Sequence, residues 1–360
     1  IVHNGIPRTD PFSWTRGGDA WVAHEWLSEV LIYGIQQSLG YAANVVLFAL
    51  ATSAALAIAY AAARRQGAGT QPLVALMLLA VVVMGTFVTV RPQVFTWLLF
   101  SVFLYILAAS YDRQRAPVWA LPPLMALWAN LHLGFFYGLM LVGLWLAALC
   151  FDAVRGGERS LRAPVAIAAA CVIAAGLNPS GPEILWYPLR YVFDSQVTNE
   201  MIAEWQRPNI LYPYQTPTYV VAGMLALALA SRARPRPFLC LVAVAVIVLS
   251  MQAVRNAPFA AIVMLPVCGG TMARLWPWAT AERDSGSRMN LATAASLTLL
   301  VGLVVPLMAL SGGREIAFGE PSEDRFPSQG AEFVRQKYPD ARLFNDYNAG
   351  GYLVYKLYPE

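Results

Sequence analysis

Residues 42–63 read AANVVLFALATSAALAIAYAAA and run straight into Arg64 and Arg65. A helix of that length covers about 33 Å, enough for a hydrocarbon core about 30 Å thick. It carries no formal charge before the two arginines end it. Outward from this segment the same alternation repeats. Further apolar stretches lie near 72–90, 94–111, 117–130, 134–153, 163–177, 216–231, 237–253, 257–273 and 290–311. Together they predict an all-α polytopic membrane protein with ten spans, the fourth broken or re-entrant at Pro122-Pro123.

Composition agrees. Of the 360 residues 58% are hydrophobic and 13% charged, about half the charged share of a soluble domain, and mean hydropathy is +0.51. A disordered protein is thereby excluded, and a soluble enzyme with one core is not expected, because it would need far more polar surface. Net charge is +4, almost all of the positive charge being arginine, with Lys337 and Lys356 the only lysines. No basic stripe with interleaved aromatics appears, so nucleic acid is not an expected partner. Cys150, Cys171, Cys240 and Cys268 sit in apolar runs without CxxC spacing and read as packing residues.

The arginines predict orientation. Arg64, Arg65, Arg113, Arg115, Arg155, Arg159, Arg162, Arg232, Arg234, Arg236, Arg274, Arg283 and Arg288 fall in alternate loops, which the positive-inside rule makes cytoplasmic. The opposite set comprises 1–41, the turns near 91–93, 131–133 and 254–256, the loop 178–215 and the tail 312–360. This gives three regions: a first external loop with an interfacial helix (1–41), a transmembrane domain (42–311), and an external C-terminal region (312–360). The first loop begins on the outer side, so a further helix or a cleaved signal is expected before Ile1, the helix favoured because residues 1–20 read as the middle of a loop. Residues 21–39 predict an interfacial helix, with Asp19 as N-cap and an apolar face through Trp21, Val22, Trp26, Leu27, Val30, Leu31 and Ile35. The tail predicts a small α/β piece: a short helix over 328–337, then a turn at Asn348–Gly351 into a strand over Tyr352–Tyr355.

The unusual polar residues gather on the predicted outer side, where ionisable groups near membrane depth mark function. Asp10 is a candidate base or cation ligand, or else the carboxylate of an Asx turn. His24-Glu25 is either a reactive pair or the solvated face of the interfacial helix; it lacks the second histidine of a zinc-protease helix. Arg91 and Arg255 break the charge rule. They either clamp phosphate with their forks or snorkel to headgroups. Asn130 and His132, in Trp128-Ala129-Asn130-Leu131-His132, bond a sugar or satisfy broken helix backbone. Glu204, in Glu204-Trp205-Gln206, suits carbohydrate or belongs to an aromatic belt. Asn256 accompanies Arg255. The predicted cytoplasmic loops hold no phosphate-binding loop and no paired-aspartate motif, so a donor for any transfer reaction is expected within the membrane.

Several segments resemble a largely uncharacterised group of bacterial multi-pass proteins of the GT-C glycosyltransferase type, similar to dolichyl-phosphate-mannose-protein mannosyltransferases. They are Gly5-Ile6-Pro7, Asp10-Pro11-Phe12-Ser13, His24-Glu25-Trp26-Leu27-Ser28-Glu29, Val90-Arg91-Pro92-Gln93, Trp128–His132, Leu177-Asn178-Pro179, Glu204-Trp205-Gln206, Arg255-Asn256-Ala257-Pro258-Phe259, and Leu343–Asn348 with Gly350–Leu353. The resemblance implies a GT-C-like fold in the bacterial cytoplasmic membrane with its site facing the exterior. It implies a polyprenyl-phosphate sugar donor, an external glycan, lipid or protein acceptor, and room for a divalent cation. On this reading Asp10 and Glu25 are the base or cation ligands. Arg91 and Arg255 take the leaving phosphate, and His24, Asn130, His132, Glu204 and Asn256 line the substrate. In that group a key acid often follows the first span, ahead of Ile1. Two other classes stay open: a transporter or flippase of lipid-linked substrates, and a non-catalytic membrane scaffold.

Overall fold

A computed structural model describes residues 1, 5–13, 15–188, 202–276, 327–339, 342–343, 345 and 347–357. Among them the regular structure is helical throughout, with no strand beyond an isolated bridge between Thr9 and Ala20. The α-helices in chain order are α1 (Trp26–Leu39), α2 (Tyr41–Arg65), α3 (Thr70–Gly85), α4 (Gln93–Tyr111), α5 (Leu121–Leu131), α6 (Phe135–Val154), α7 (Arg162–Ala175), α8 (Thr216–Ala230), α9 (Pro237–Gln252), α10 (Ala257–Leu275), α11 (Ser328–Lys337) and α12 (Tyr347–Leu357). Short 3-10 turns lie at Val118–Ala120, Gly181–Leu185, Ala203–Trp205 and Val254–Asn256.

Nine of the ten apolar stretches are therefore helices, and the tenth, 290–311, lies outside the described residues. The count of spans needs correction all the same. Among the described residues four helices are long and apolar enough to cross a membrane: Tyr41–Arg65, Gln93–Tyr111, Phe135–Val154 and Val254–Leu275. The other five are shorter. Thr70–Gly85, for example, has 16 residues and reaches about 24 Å, short of the hydrocarbon thickness.

The bundle is organised around α4 and α10. α4 packs against α2, α5 and α6, while α10 packs against α2, α3, α8 and α9. Every residue of α10 from Ala257 to Thr271 is buried. Small residues allow this close approach: a Cβ at Gly269 would stand 2.9 Å from that of Ala68. The helices alternate in direction between two ends. At one, Gln66 bonds Asp112, Arg236 pairs with Asp112, Tyr111 bonds Asp152 and Arg274 reaches the Ala233 carbonyl. At the other, Trp26, Arg91, Asn130, His132, Glu204 and Asn256 meet, as described below. We refer to these as the arginine end and the histidine end. Thiol labelling of Glu158→Cys and Tyr212→Cys, both at exposed positions, is expected to proceed from opposite sides of a sealed vesicle. Labelling of both from one side contradicts the alternation.

Two local expectations change. The interfacial helix begins at Trp26, and Asp19 does not cap it; its carboxylate accepts from Arg16 Nε at 2.7 Å. In the tail, the predicted helix is α11, but no α/β piece is seen among the described residues. The run Tyr352–Tyr355 lies in α12, through Gly350-Gly351 rather than after a turn. Tyr352 and Leu353 are buried against Ala331, with Ala349 and Leu357 packed alongside. Those positions repeat at helical spacing, which serves a two-helix contact better than a strand would.

Candidate functional site

The first acid is placed by two staples. Trp26 Nε1–H donates to Asn130 Oδ1 at 2.8 Å, and the buried Ser28 hydroxyl donates to the Leu131 carbonyl at 2.6 Å. They fix the first turn of α1 against the C-terminal end of α5. Asn130 is thereby a joint: its Nδ2 also donates to the carbonyls of Ala126 and Leu177. Asn178 secures the same junction from beyond α7 through the Ala129 carbonyl.

α5 ends where His132 adopts extended backbone (φ −162°), and its imidazole then lies between α1 and α4. Glu25 Oε1 lies 3.1 Å from Nε2. On the far side Thr96 Oγ1 lies 2.8 Å from Nδ1, and the Gly134 backbone N–H donates to the same nitrogen at 2.9 Å. An amide N–H can only donate, so Nδ1 must be an acceptor. Thr96 Oγ1 in turn accepts from Trp128 Nε1–H at 3.0 Å, leaving its own hydroxyl proton for Nδ1. The ring proton is therefore on Nε2, the imidazole is neutral, and it donates to Glu25. The polar line runs Trp128, Thr96, His132, Glu25. His24 closes it from outside: its Nδ1–H donates to the Val22 carbonyl at 3.1 Å, and its Nε2 stands 3.7 Å from Glu25 Oε1.

Burial pushes the Glu25 carboxyl up, but the hydrogen bond from His132 is the largest influence against it, and with the surrounding positive charge, Arg255 the least of it, holds the group below its ordinary range. Glu29, exposed one turn further along α1, shifts the other way, through partial desolvation first and the like charge of Glu25 second. Neighbouring carboxylates driven apart in this manner suit an acid and base pair.

The 3-10 turn Val254–Asn256 supplies the cation. Arg255 lies over the Trp205 ring at 4.3 Å. Asn256 is buried with both ends of its amide engaged, accepting from Tyr137 Oη at 2.6 Å and donating to the Leu249 carbonyl at 3.0 Å. Thr96, His132, Tyr137, Arg255 and Asn256 line a cavity of about 20 Å³, room for one water-sized group. Arg91 pairs with Glu204 at 2.9 Å at the surface. Both arginines thus reach the short turn Ala203–Trp205, one through Glu204 and the other through Trp205.

Of the residues singled out in the sequence, Glu25, His24, His132, Arg255 and Asn256 come together, with Asn130 behind them and Arg91 and Glu204 beside them. Asp10 stands apart. Its Oδ1 accepts from the backbone N–H groups of Phe12 and Ser13 at 2.8 and 3.1 Å, an Asx turn. Burial pushes its carboxyl up slightly, but the bond from the Ser13 hydroxyl, followed by these backbone bonds, prevails and holds it down. Among the described residues no group of three or more His, Cys, Asp or Glu is arranged to hold a metal ion. Little in the sequence marks Thr96, Gly134 and Tyr137 as site residues, since a threonine or glycine in an apolar run looks like packing.

No family model matches the chain, and neither a curated protein nor a solved structure matches it.

Proposed function

We propose that the chain is an integral-membrane glycosyltransferase that moves a sugar from a polyprenyl-phosphate donor to an external glycan, lipid or protein acceptor. Its histidine end would face the outside of a bacterial cytoplasmic membrane. The observation that carries this reading is Glu25: a half-buried carboxylate, kept ionised and oriented by a neutral His132, with Arg255 nearby. Glu25 takes the proton of an acceptor hydroxyl, the freed oxygen attacks the anomeric carbon, and the bond from that carbon to phosphate breaks. The leaving phosphate gains charge, which Arg255 offsets. A cavity of about 20 Å³ admits a phosphate oxygen or a water but no sugar, so on this reading the sugar lies outside it. Arg91 reaches the phosphate only by leaving Glu204, an exposed ion pair whose loss costs about 0–1 kcal/mol.

The test is binding of a polyprenyl-phosphate analogue to detergent-purified protein. Arg255→Gln is expected to lose binding severely and Arg255→Lys partly, because lysine keeps the charge but not the fork. A charge-assisted bond of this kind is worth roughly 1.5–3 kcal/mol. If Arg255 only anchors headgroups, Arg255→Lys is silent. Unchanged binding in Arg255→Gln removes the phosphate site from the proposal.

A further inference from the structure

The arginine end holds a second, larger cavity, of about 470 Å³, walled by the C-terminal turns of α4 and α6 and the start of α9. Four arginines, Arg113, Arg155, Arg159 and Arg236, are among its lining residues, with Asp152 beside them. That carboxylate is already engaged by Tyr111 Oη at 2.7 Å. Two of the arginines are also committed: Arg159 donates to the Tyr111 carbonyl at 2.6 Å, and Arg236 pairs with Asp112 at 2.9 Å. Among the described residues Arg113 and Arg155 have no carboxylate partner, although the Arg155 guanidinium rests 4.8 Å above the Phe151 ring.

The backbone makes the excess of charge more pointed. Arg113 follows the end of α4 with φ 58°, the one non-glycine residue in the left-handed region among those described. The corresponding turn after α6 uses Gly156 at φ 89°, the usual solution for this position. α4 instead keeps an arginine where glycine is less strained. Neutralising two helix C-termini is an ordinary use of basic residues. Arg113 and Arg155, directly after α4 and α6, serve that use, and still leave their guanidinium groups without an oxygen partner among the described residues.

We propose that this cleft binds a phosphate-bearing anion between Arg113 and Arg155: the phosphoryl group of an anionic lipid headgroup, or a free phosphate. Planar guanidinium forks suit such oxygens, and the hydroxyl and carbonyl of Tyr111 are already satisfied and do not compete. The experiment uses the full chain in lipid bicelles and measures retained ligand by native mass spectrometry. One arm offers phosphatidylglycerol against phosphatidylcholine; the other offers inorganic phosphate with phosphatidylcholine alone. Wild type is expected to retain one of the two phosphate probes. The Arg113→Gln/Arg155→Gln variant should lose it by roughly a hundredfold, about one order for each charge-assisted bond removed. An Arg64→Gln/Arg65→Gln variant, altered at the same end but outside the cleft, should keep it. Preference for phosphatidylglycerol assigns the site to lipid; retention of inorganic phosphate without that preference assigns it to the free ion. Equal losses in both double variants reduce the effect to general surface charge and overturn the proposal, as does no loss in either.

Discussion

Replacing Glu25 with Gln is expected to lower sugar transfer by roughly 10²–10⁴-fold, the usual worth of a positioned general base, while the bundle stays folded. Glutamine keeps the size of the side chain and still offers an oxygen to His132 Nε2–H, which lies 3.1 Å away in the wild type. What disappears is the negative charge that accepts the proton. Binding of the donor analogue should survive, because Arg255 is untouched. That split, with turnover lost and binding kept, distinguishes a base from a substrate clamp. The pH dependence carries a sign. Glu25 titrates below its unfolded value of about 4.3, so its contribution to stability is complete above that value and is lost as pH falls through the folded one. Wild type should therefore lose stability at acid pH to an extent that Glu25→Gln does not. Wild-type transfer rates in Glu25→Gln would remove this residue from the chemistry.

Gly134→Ala is expected to be the most damaging single-methyl change near the site. A Cβ there would stand 2.7 Å from His132 Nδ1 and 2.6 Å from Thr96 Cγ2. Both neighbours are held, Thr96 in the buried face of α4 and His132 between Thr96 and Glu25. Overpacking of this kind costs about 1–3 kcal/mol. The displaced ring would also stop donating to Glu25, so activity should fall further than stability. Thr96→Ala opens space for the methyl group at the expense of two hydrogen bonds, the one to His132 and the one from Trp128. The double variant Gly134→Ala/Thr96→Ala should then be more stable than the sum of the single changes allows, by about 0.5–3 kcal/mol of coupling. The measurement is thermal unfolding of the four proteins of the cycle in detergent. Strict additivity would mean that Gly134 does not crowd Thr96.

Helix positions were readable because apolar runs end at charges, and the arginine pairs that mark those ends also gather at one end of the structure. Run length was less informative about crossing. Residues 72–90 are apolar throughout, yet α3 stops at Gly85, and periodicity does not reveal where an apolar helix gives way to irregular backbone. Glu25, His132 and Arg255 stood out as ionisable groups flanking apolar runs. Thr96 and Gly134 could not, because their roles depend on what faces them from α5 and α4. Asp10 carried two readings in the sequence, and its local hydrogen bonds match the Asx turn. The tail misled for a different reason. Tyr352-Leu353-Val354-Tyr355 is too short to separate a strand from a helix face, and the glycines before it argued for a turn.

The line from Glu25 into the bundle ends at Trp128, whose indole N–H can give a hydrogen bond but has no lone pair to receive a proton. Trp128 is fully buried, and Thr96 is its recorded partner for that N–H. The chain of bonds is a cul-de-sac: it can orient an imidazole, but it cannot conduct. On the proposed reading, a proton collected by Glu25 would not travel inward along this line but would leave on the side from which the acceptor came, and turnover would leave the electrical gradient of the membrane unspent.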